Sequence, residues 1–582
     1  MKIKLYFVIT LSLLVTSIGY AQTVQTPDCI WAKNAVASYS SAGTDAYGIA
    51  SSGTGNGVAN GNGGIYVTGT YDCGSITFGN ITLTGEGFFI AKYDSSGNVL
   101  WAKGAGGAGS QVATDGSGNV YVTGTFTDTI TFGGHTLTSL YNPISNPSVF
   151  IVKYSATGNV LWVREGCSFR GCNGYGITTD GNANVFVTGT FAKDSIVFGS
   201  ITSYGTGAFV AKYDSTGNIL WVKSSEVSGG TPGGIGNGVA TDADGNVFAA
   251  GTFYGDTAVF GNVKLVNPTP ATGNLEVSQM FVVKYDPSGN VLWAKMATID
   301  EEGYQSFNGM PLGGVQGVST DSKGSLYVTG GFYGTPSNFG SVNLTNHTLD
   351  ATADIFIVKY TSSGNTLWAK EIGGDFDNVG EGVSADNNDN VYVTGSFGGN
   401  DTIYFGSTAL TGTSDQNIFI AKYDSSGNAL QALTAGGPGY ELDFGGGIIA
   451  PGNGDVYVTG MFSDTVHFDN DLLYSTGGQT IFLDKFNGAS ATGIKQVSFN
   501  SNDVSVYPNP TSNKISININ SSAGDISSWK LEIVDLLGRT IFTKSSLNYN
   551  NKIDLSSFAN GIYFVTIVNN EGHSVFPIVK QN

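Results

Sequence analysis

Charge is scarce in this chain. Only 12% of its 582 residues are charged, and 45 acids against 26 bases leave a net charge of −19. That balance argues against nucleic acid and anionic membrane as partners. Histidine is also scarce: His135, His347, His467 and His573 lie far apart, so no H-E-x-x-H zinc site exists. G-x-S-x-G and P-loop signatures are missing too, so no common catalytic motif is present. One apolar run, Leu5 to Ile18, stands out, and it falls short of the roughly 20 residues that span a bilayer. No Gly-X-Y period occurs, which excludes collagen. What the chain does have is glycine and apolar surface. Its 85 glycines are about twice the usual share of roughly 7%. An apolar fraction of 40%, with 12% aromatics, argues against disorder.

The apolar run follows Lys2 and Lys4 and precedes Gly19, Tyr20 and Ala21. This pattern predicts a secretory signal over residues 1–21, cut after Ala21; a membrane anchor is the rival reading. The four cysteines suit an oxidising compartment. Cys167 and Cys172 share the loop CSFRGC and are expected to close a small ring, which leaves Cys29 to pair with Cys73. An even count allows three connectivities, and a metal site is the alternative, although the spacing is not C-x2-C.

Two phrases recur seven times. IYVTGTY at Ile65 returns at Val120, Val185, Val247, Leu326, Val391 and Val456. FIAKYDSSGNVLWAK at Phe89 returns at Phe150, Phe209, Phe281, Phe356 and Phe419, and as the truncated FLDKF at Phe482. β-Branched and aromatic residues dominate both, and Asp-Gly or Gly-Asn turns break them, so each reads as strands. One repeat is then four antiparallel strands in two hairpins, which predicts a propeller blade. The seventh repeat lacks its last strand, but CIWAK stands alone at Cys29–Lys33 and is expected to supply it, closing the ring. Trp31, Trp101, Trp162, Trp221, Trp293 and Trp368 hold one place in the repeat, with Gln431 in the sixth; packing between blades explains them better than ligand stacking. Asp115, Asp180, Asp242 and Asp321 precede the first turn, where capping outweighs a calcium loop.

These phrases resemble the SBBP family of bacterial seven-bladed β-propeller repeats. The resemblance covers roughly Ile30 to Asn487 and implies an all-β propeller and no single activity; the propeller domain is expected over residues 22–487.

The texture changes after Asn487. A polar linker over 488–503 leads to short alternating strands over 504–582, a pattern that predicts a small Ig-like β-sandwich. Three motifs stand in it: Tyr507-Pro508-Asn509-Pro510, the D-x-x-G-R set Asp535, Gly538 and Arg539, and Asn560-Gly561-Ile562-Tyr563. Together they resemble the C-terminal sorting domain of type IX secretion substrates (type A, the Por secretion tail). The resemblance implies engagement of that machinery, passage through the periplasm, and release or lipopolysaccharide anchoring at the surface; an ordinary Ig-like adhesion module is the alternative.

Function on a repeat scaffold is expected where the repeat is broken. The longest connection carries Asp300, Glu301, Glu302, Tyr304 and Phe307; the next carries Asp375, Phe376, Asp377 and Glu381; a third carries Tyr440, Glu441, Asp443 and Phe444. The acids Asp300, Glu301, Asp375, Asp377 and Asp443 are expected to gather on one sector of the mouth, with Tyr304, Phe376 and Tyr440 as apolar contacts. The leading expectation is a non-enzymatic binding module for a glycan or protein, needing no metal or cofactor. Its rivals are a carbohydrate-active enzyme with paired carboxylates and a bulky surface-layer component.

Overall fold

The computed structural model describes residues 29–38, 57–61, 63–71, 74–139, 146–192, 194–229, 233–268, 278–298, 306–307, 310–311, 314–333, 337–347, 352–399, 401–437, 439–468, 471–488, 504–519, 526, 529–535, 540–545, 547–568 and 573–581. They fall into two units, Met1–Gly488 and Ala489–Asn582. Every regular element among them is a β-strand. The expected signal segment and most of the linker lie outside the described residues.

In the first unit the same sheet recurs. Its first copy runs Val58–Gly61, Gly64–Tyr71, Gly87–Asp94 and Val99–Ala105, each strand antiparallel to the next. Six more follow, starting at Ala108, Cys172, Gly234, Gly314, Asn378 and Phe444. The last of these is Phe444–Ile449, Asp455–Phe468 and Asp471–Asn487, completed by the N-terminal strand Cys29–Ser38. Ala32 pairs with Asp484 and Ala35 with Ile481 across that junction. The first strands of successive copies pack side by side in chain order, and Val58–Gly61 packs against Phe444–Ile449, so the series closes on itself.

The repeat is larger than the four strands expected. Between the second and third strands stands a short hairpin, Ser75–Phe78 with Ile81–Thr84 in the first copy. It returns as Thr129–Phe132 with His135–Thr138, and as Thr402–Phe405 with Thr408–Thr411. Its pattern (SITFGNITLT, TITFGGHTLT, TIYFGSTALT) is a third recurring phrase. The hairpin's Phe packs on the Phe that opens the second phrase: Phe78 on Phe89 at 5.0 Å, Phe260 on Phe281 at 4.7 Å, Phe468 on Phe482 at 4.8 Å between ring centroids. Several hairpins also pair backward onto the preceding copy, as Phe198 does with Gly166 and Thr77 with Val36. They therefore both fill one core and join two sheets.

Side chains fixed by the phrases do the rest. The Thr of V-T-G buries its hydroxyl against the third strand, Thr68 on the Phe89 carbonyl at 2.7 Å and Thr188 on that of Phe209 at 2.7 Å. The Gly after it is needed for close approach: a Cβ on Gly124 would sit 2.0 Å from the Ala108 carbonyl oxygen. The Lys of the second phrase and the Trp that follows it both donate to one carbonyl of the next copy. Lys359 Nζ and Trp368 Nε1 each reach Ser425 O at 3.2 Å. Lys284 and Trp293 reach Ser362 O in the same way. Lys359 also meets Asp321 at 3.1 Å and lies over the Tyr327 ring. The tryptophans thus lock neighbouring sheets together. The recurring Asp residues cap their turns, as Asp242 Oδ1 does for the Asp244 and Asn246 amides.

The second unit has two sheets. One is Val504–Tyr507, Lys514–Ile519 and Asn550–Asp554; the other is Thr540–Ser545, Lys530–Asp535, Gly561–Val568 and His573–Lys580. Ile515, Ile517, Trp529, Leu531, Ile533, Val565 and Ile578 form one buried core from both sheets.

Candidate functional site

Five inner strands carry a bulge at the same register; a sixth bulge, at Ser110, adds no lining residue, and Val58–Gly61 pairs without one. Pairing with the second strand skips one residue between Gly174 and Gly176, Gly236 and Gly238, Val315 and Gly317, Gly380 and Gly382, and Gly445 and Gly447. A bulge turns the extra side chain away from the ladder. Here the extra residues are Tyr175, Asn237, Gln316, Glu381 and Gly446, and all five line a cavity of about 350 Å³ at the centre of the ring. All seven inner strands contribute to its wall. The glycine after each bulge lets the strands draw together: a Cβ on Gly317 would lie 2.9 Å from the Glu381 carbonyl oxygen, and one on Gly382 3.0 Å from that of Gly446.

One turn further along, threonines stitch the wall. Thr114 donates to the Asn60 carbonyl, Thr179 to Thr114, Thr241 to Thr179 and Thr320 to Thr241, at 2.6, 2.7, 3.0 and 2.7 Å. The channel is therefore rigid by construction, held by side chains from successive sheets.

Its polar groups are unevenly matched. Among the described residues, no protein group hydrogen-bonds the buried acceptors Asn237 Oδ1 and Gln316 Oε1. Glu381 is the one charged residue among the described lining residues, and no Lys or Arg joins it. Burial alone pushes its carboxyl up to about 7. Glu381 is half-buried in the cavity wall.

The residues expected to form the site fare differently. Asp300, Glu301 and Tyr304, and the side chain of Tyr440, lie outside the described residues. Asp375 and Phe376 are exposed, and the Asp375 N–H donates to Asp401. Asp377 is half-buried and accepts the Ala353 N–H at 2.8 Å. Asp443 corrects the expectation of a surface acid: it is fully buried and accepts the Ser463 N–H at 3.2 Å, because the chain enters the inner strand at Phe444 immediately after it. Glu381 corrects the assignment to a connection, since it sits within the strand Asn378–Ala385. The acids that do gather near Asp377 were not singled out. Asp354 is buried and its carboxyl is pushed up to about 7, first by burial and then by the charge of Glu371.

The cysteines depart from the expected pairing. Cys167 and Cys172 are both buried free thiols; Cys172 Sγ donates to the Gly166 carbonyl at 3.1 Å. Cys29 is free as well and donates to Asp484 Oδ1 at 3.1 Å; Cys73 lies outside the described residues. The strand pairing at the ring junction aims the Cys29 thiol at acids rather than at another sulfur. Among the described residues no cluster of His, Cys, Asp and Glu has the form of a metal site.

In the second unit the described motif residues meet near one end of the four-stranded sheet. Asn509 Oδ1 accepts the Val579 N–H at 2.9 Å, which ties the YPNP segment to the last strand. Asp535 stands opposite Tyr563, and Ile562 opposite Val579, in the same sheet. The Tyr563 hydroxyl donates to the Ala559 carbonyl at 2.8 Å, closing the turn that holds Asn560 and Gly561. Gly538 and Arg539 lie outside the described residues.

Tyr175, Asn237 and Gln316 escaped the reading of the sequence. Their signal was the short run GYGI, GNGV, VQGV and GEGV ahead of four Asp-turns, with GGGI at the same place in the last copy. The second position varies while the third is glycine in all five runs, and the bulge explains that variation.

Residues 505–581 match the secretion system C-terminal sorting domain. The domain directs export by the type IX route to the cell surface or extracellular space. A WD repeat-containing protein, L264, of Acanthamoeba polyphaga mimivirus is 27% identical over 470 residues, covering 69% of this chain and 33% of that protein. The chain thus spans about a third of the length of this relative. Among solved structures, a protein of unknown function from Bacteroides caccae is 13% identical, covering 49% of this chain and 89% of its own, at a TM-score of 0.20. PorZ, a surface component of the type IX secretion system of Porphyromonas gingivalis, is 10% identical, covering 95% and 100%, at a TM-score of 0.15. At such TM-scores neither likeness carries structural weight. No helix among the described residues is long and apolar enough to cross a membrane.

Proposed function

We propose that the chain is an exported seven-bladed β-propeller of the SBBP type that works as a non-enzymatic binding module. Its N-terminal signal starts export, and an Ig-like sorting domain takes it through the type IX machinery. The ligand sits in the central channel. The observation that carries this reading is the line of bulged side chains, Tyr175, Asn237, Gln316 and Glu381, turned into one cavity by an otherwise uniform repeat. A repeat kept only for packing has no use for four different polar residues at that place in four successive copies. Pockets of roughly 300–1,000 Å³ hold small molecules, and this one falls in that range.

A second reading has one observation in its favour. Asp354 faces Glu371, and its carboxyl is raised into the range of a general acid. Glycoside hydrolysis needs two carboxyls that both reach the sugar. Asp354, however, is fully buried and accepts the His347 N–H, which leaves it no access to a substrate. Structure explains this acid better than catalysis does.

The test is a small-molecule and glycan binding panel run beside a hydrolase screen on the full chain. Binding without turnover, lost in Gln316→Leu and Asn237→Leu, is expected. Turnover of a glycoside that survives both changes and is lost in Glu371→Gln would replace this reading with the enzymatic one.

A further inference from the structure

We propose that the channel recognises a small organic cation, an ammonium group held by the Glu381 carboxylate with Asn237 Oδ1 and Gln316 Oε1 as further acceptors. This rests on the channel being the binding site and adds the chemical class of what fills it. The argument starts from what the wall lacks. Among the described residues, two buried amide oxygens have no protein donor, and the single carboxyl in the same wall has no cation among the lining residues. Unpaired buried acceptors are costly, and an isolated buried carboxylate more so. The complement of such a site is a ligand rich in donors and positively charged.

Size decides between kinds of cation. The cavity of about 350 Å³ is far larger than a bare ion needs. Calcium takes about six to eight oxygens at close range, and the described residues gather no such cluster. A carbon chain with one or two ammonium ends fits the volume, and Tyr175 stands in the same wall, an aromatic ring of the kind that attracts cations. Val58, Val112, Ile177, Val239, Val318 and Ile448 supply the apolar wall for methylene groups. Glu381 and Tyr175 are the only titratable groups among the described lining residues, and Tyr175 stays neutral because burial raises its hydroxyl pKa. Charge recognition therefore falls to Glu381.

The test uses the full chain and two probes of equal length, 1,5-diaminopentane and 1,5-pentanediol, titrated calorimetrically at pH 8. The diamine should bind and the diol should not. Glu381→Gln should weaken the diamine about tenfold or more. Gln316→Glu, which adds a second carboxylate, should tighten it. Asp375→Asn, on the exposed connection, should change nothing. Failure of the diamine to bind the native chain, equal binding of the diol, or indifference to Glu381→Gln would overturn the cationic ligand. The channel itself is judged separately: if a neutral ligand from the glycan panel is lost in Gln316→Leu, the site stands and only its chemistry changes. Diamine binding kept in Glu381→Gln and lost in Asp375→Asn would move the site to the rim. Unchanged thermal melting of Glu381→Gln at pH 4, below the window in which its carboxyl ionises in either state, checks that the fold is intact.

Discussion

Cys29 and Asp484 are 455 residues apart in the chain, and the thiol of one donates to the carboxylate of the other at 3.1 Å. Asp471 adds a second acceptor at 3.7 Å and also takes the Ala32 N–H. Burial and these two acids push the thiol pKa far up. Burial raises the Asp484 carboxyl well above its usual range too. The contact sits on the pairing of Cys29–Ser38 with Asp471–Asn487, the junction that closes the ring.

Removing residues 22–36 should therefore destabilise the whole first unit, because the last sheet loses its outer strand and exposes an edge. The same junction should protect Cys29. Iodoacetamide at pH 8 should leave it unmodified in the native chain and label it in urea. A melting temperature unmoved by the deletion, or labelling of native Cys29 as fast as a free thiol, would show that the ring does not depend on this closure.

Lys359 is a second point of stress. Its ammonium and the Asp321 carboxylate are almost wholly buried together. Lys359→Met removes one partner and leaves the other enclosed, which typically costs about 3–5 kcal/mol. Trp368→Phe, which loses one hydrogen bond to Ser425 O, should cost nearer 1 kcal/mol. Urea unfolding of both variants gives the comparison; equal losses would mean that the ion pair contributes no more than the indole N–H.

Glu381 gives a stability signature in pH. Its folded carboxyl is raised to about 7, from an ordinary value near 4.5. The folded state resists ionising it, so stability falls as pH rises from about 4.5 through 7 and is fully restored below that window. Glu381→Gln should remove this loss. The variant should melt higher than the native chain at pH 8 and at the same temperature at pH 4. A gain of equal size at both pH values would show that packing, not charge, explains the effect.

Removing residues 504–582 should leave the first unit folded, since the two units have separate cores. The truncated protein should accumulate in the periplasm of a type IX-competent host. Its appearance at the surface in normal amount would detach export from this domain.

Strand period, turn chemistry and the orphan CIWAK made the sheets, their order and their closure legible in the sequence. Each follows from local alternation and from copy number, so no distant contact had to be known. The sorting motifs were equally legible because they are short and contiguous. The hairpin phrase around Phe78 was present but weaker, being only four residues a side, and its role depends on Phe89 in the next strand. Three outcomes belonged to tertiary structure alone. Asp443 is buried because the chain turns inward at Phe444, which composition does not reveal. The cysteines face carbonyls and acids because strand register aims them there. The channel takes its lining because a one-residue bulge in five inner strands reverses which face a side chain occupies, and all seven inner strands converge on one cavity. A period of two along one strand predicts neither the bulge nor the convergence, so Tyr175, Asn237, Gln316 and Glu381 became a site only when the ring closed.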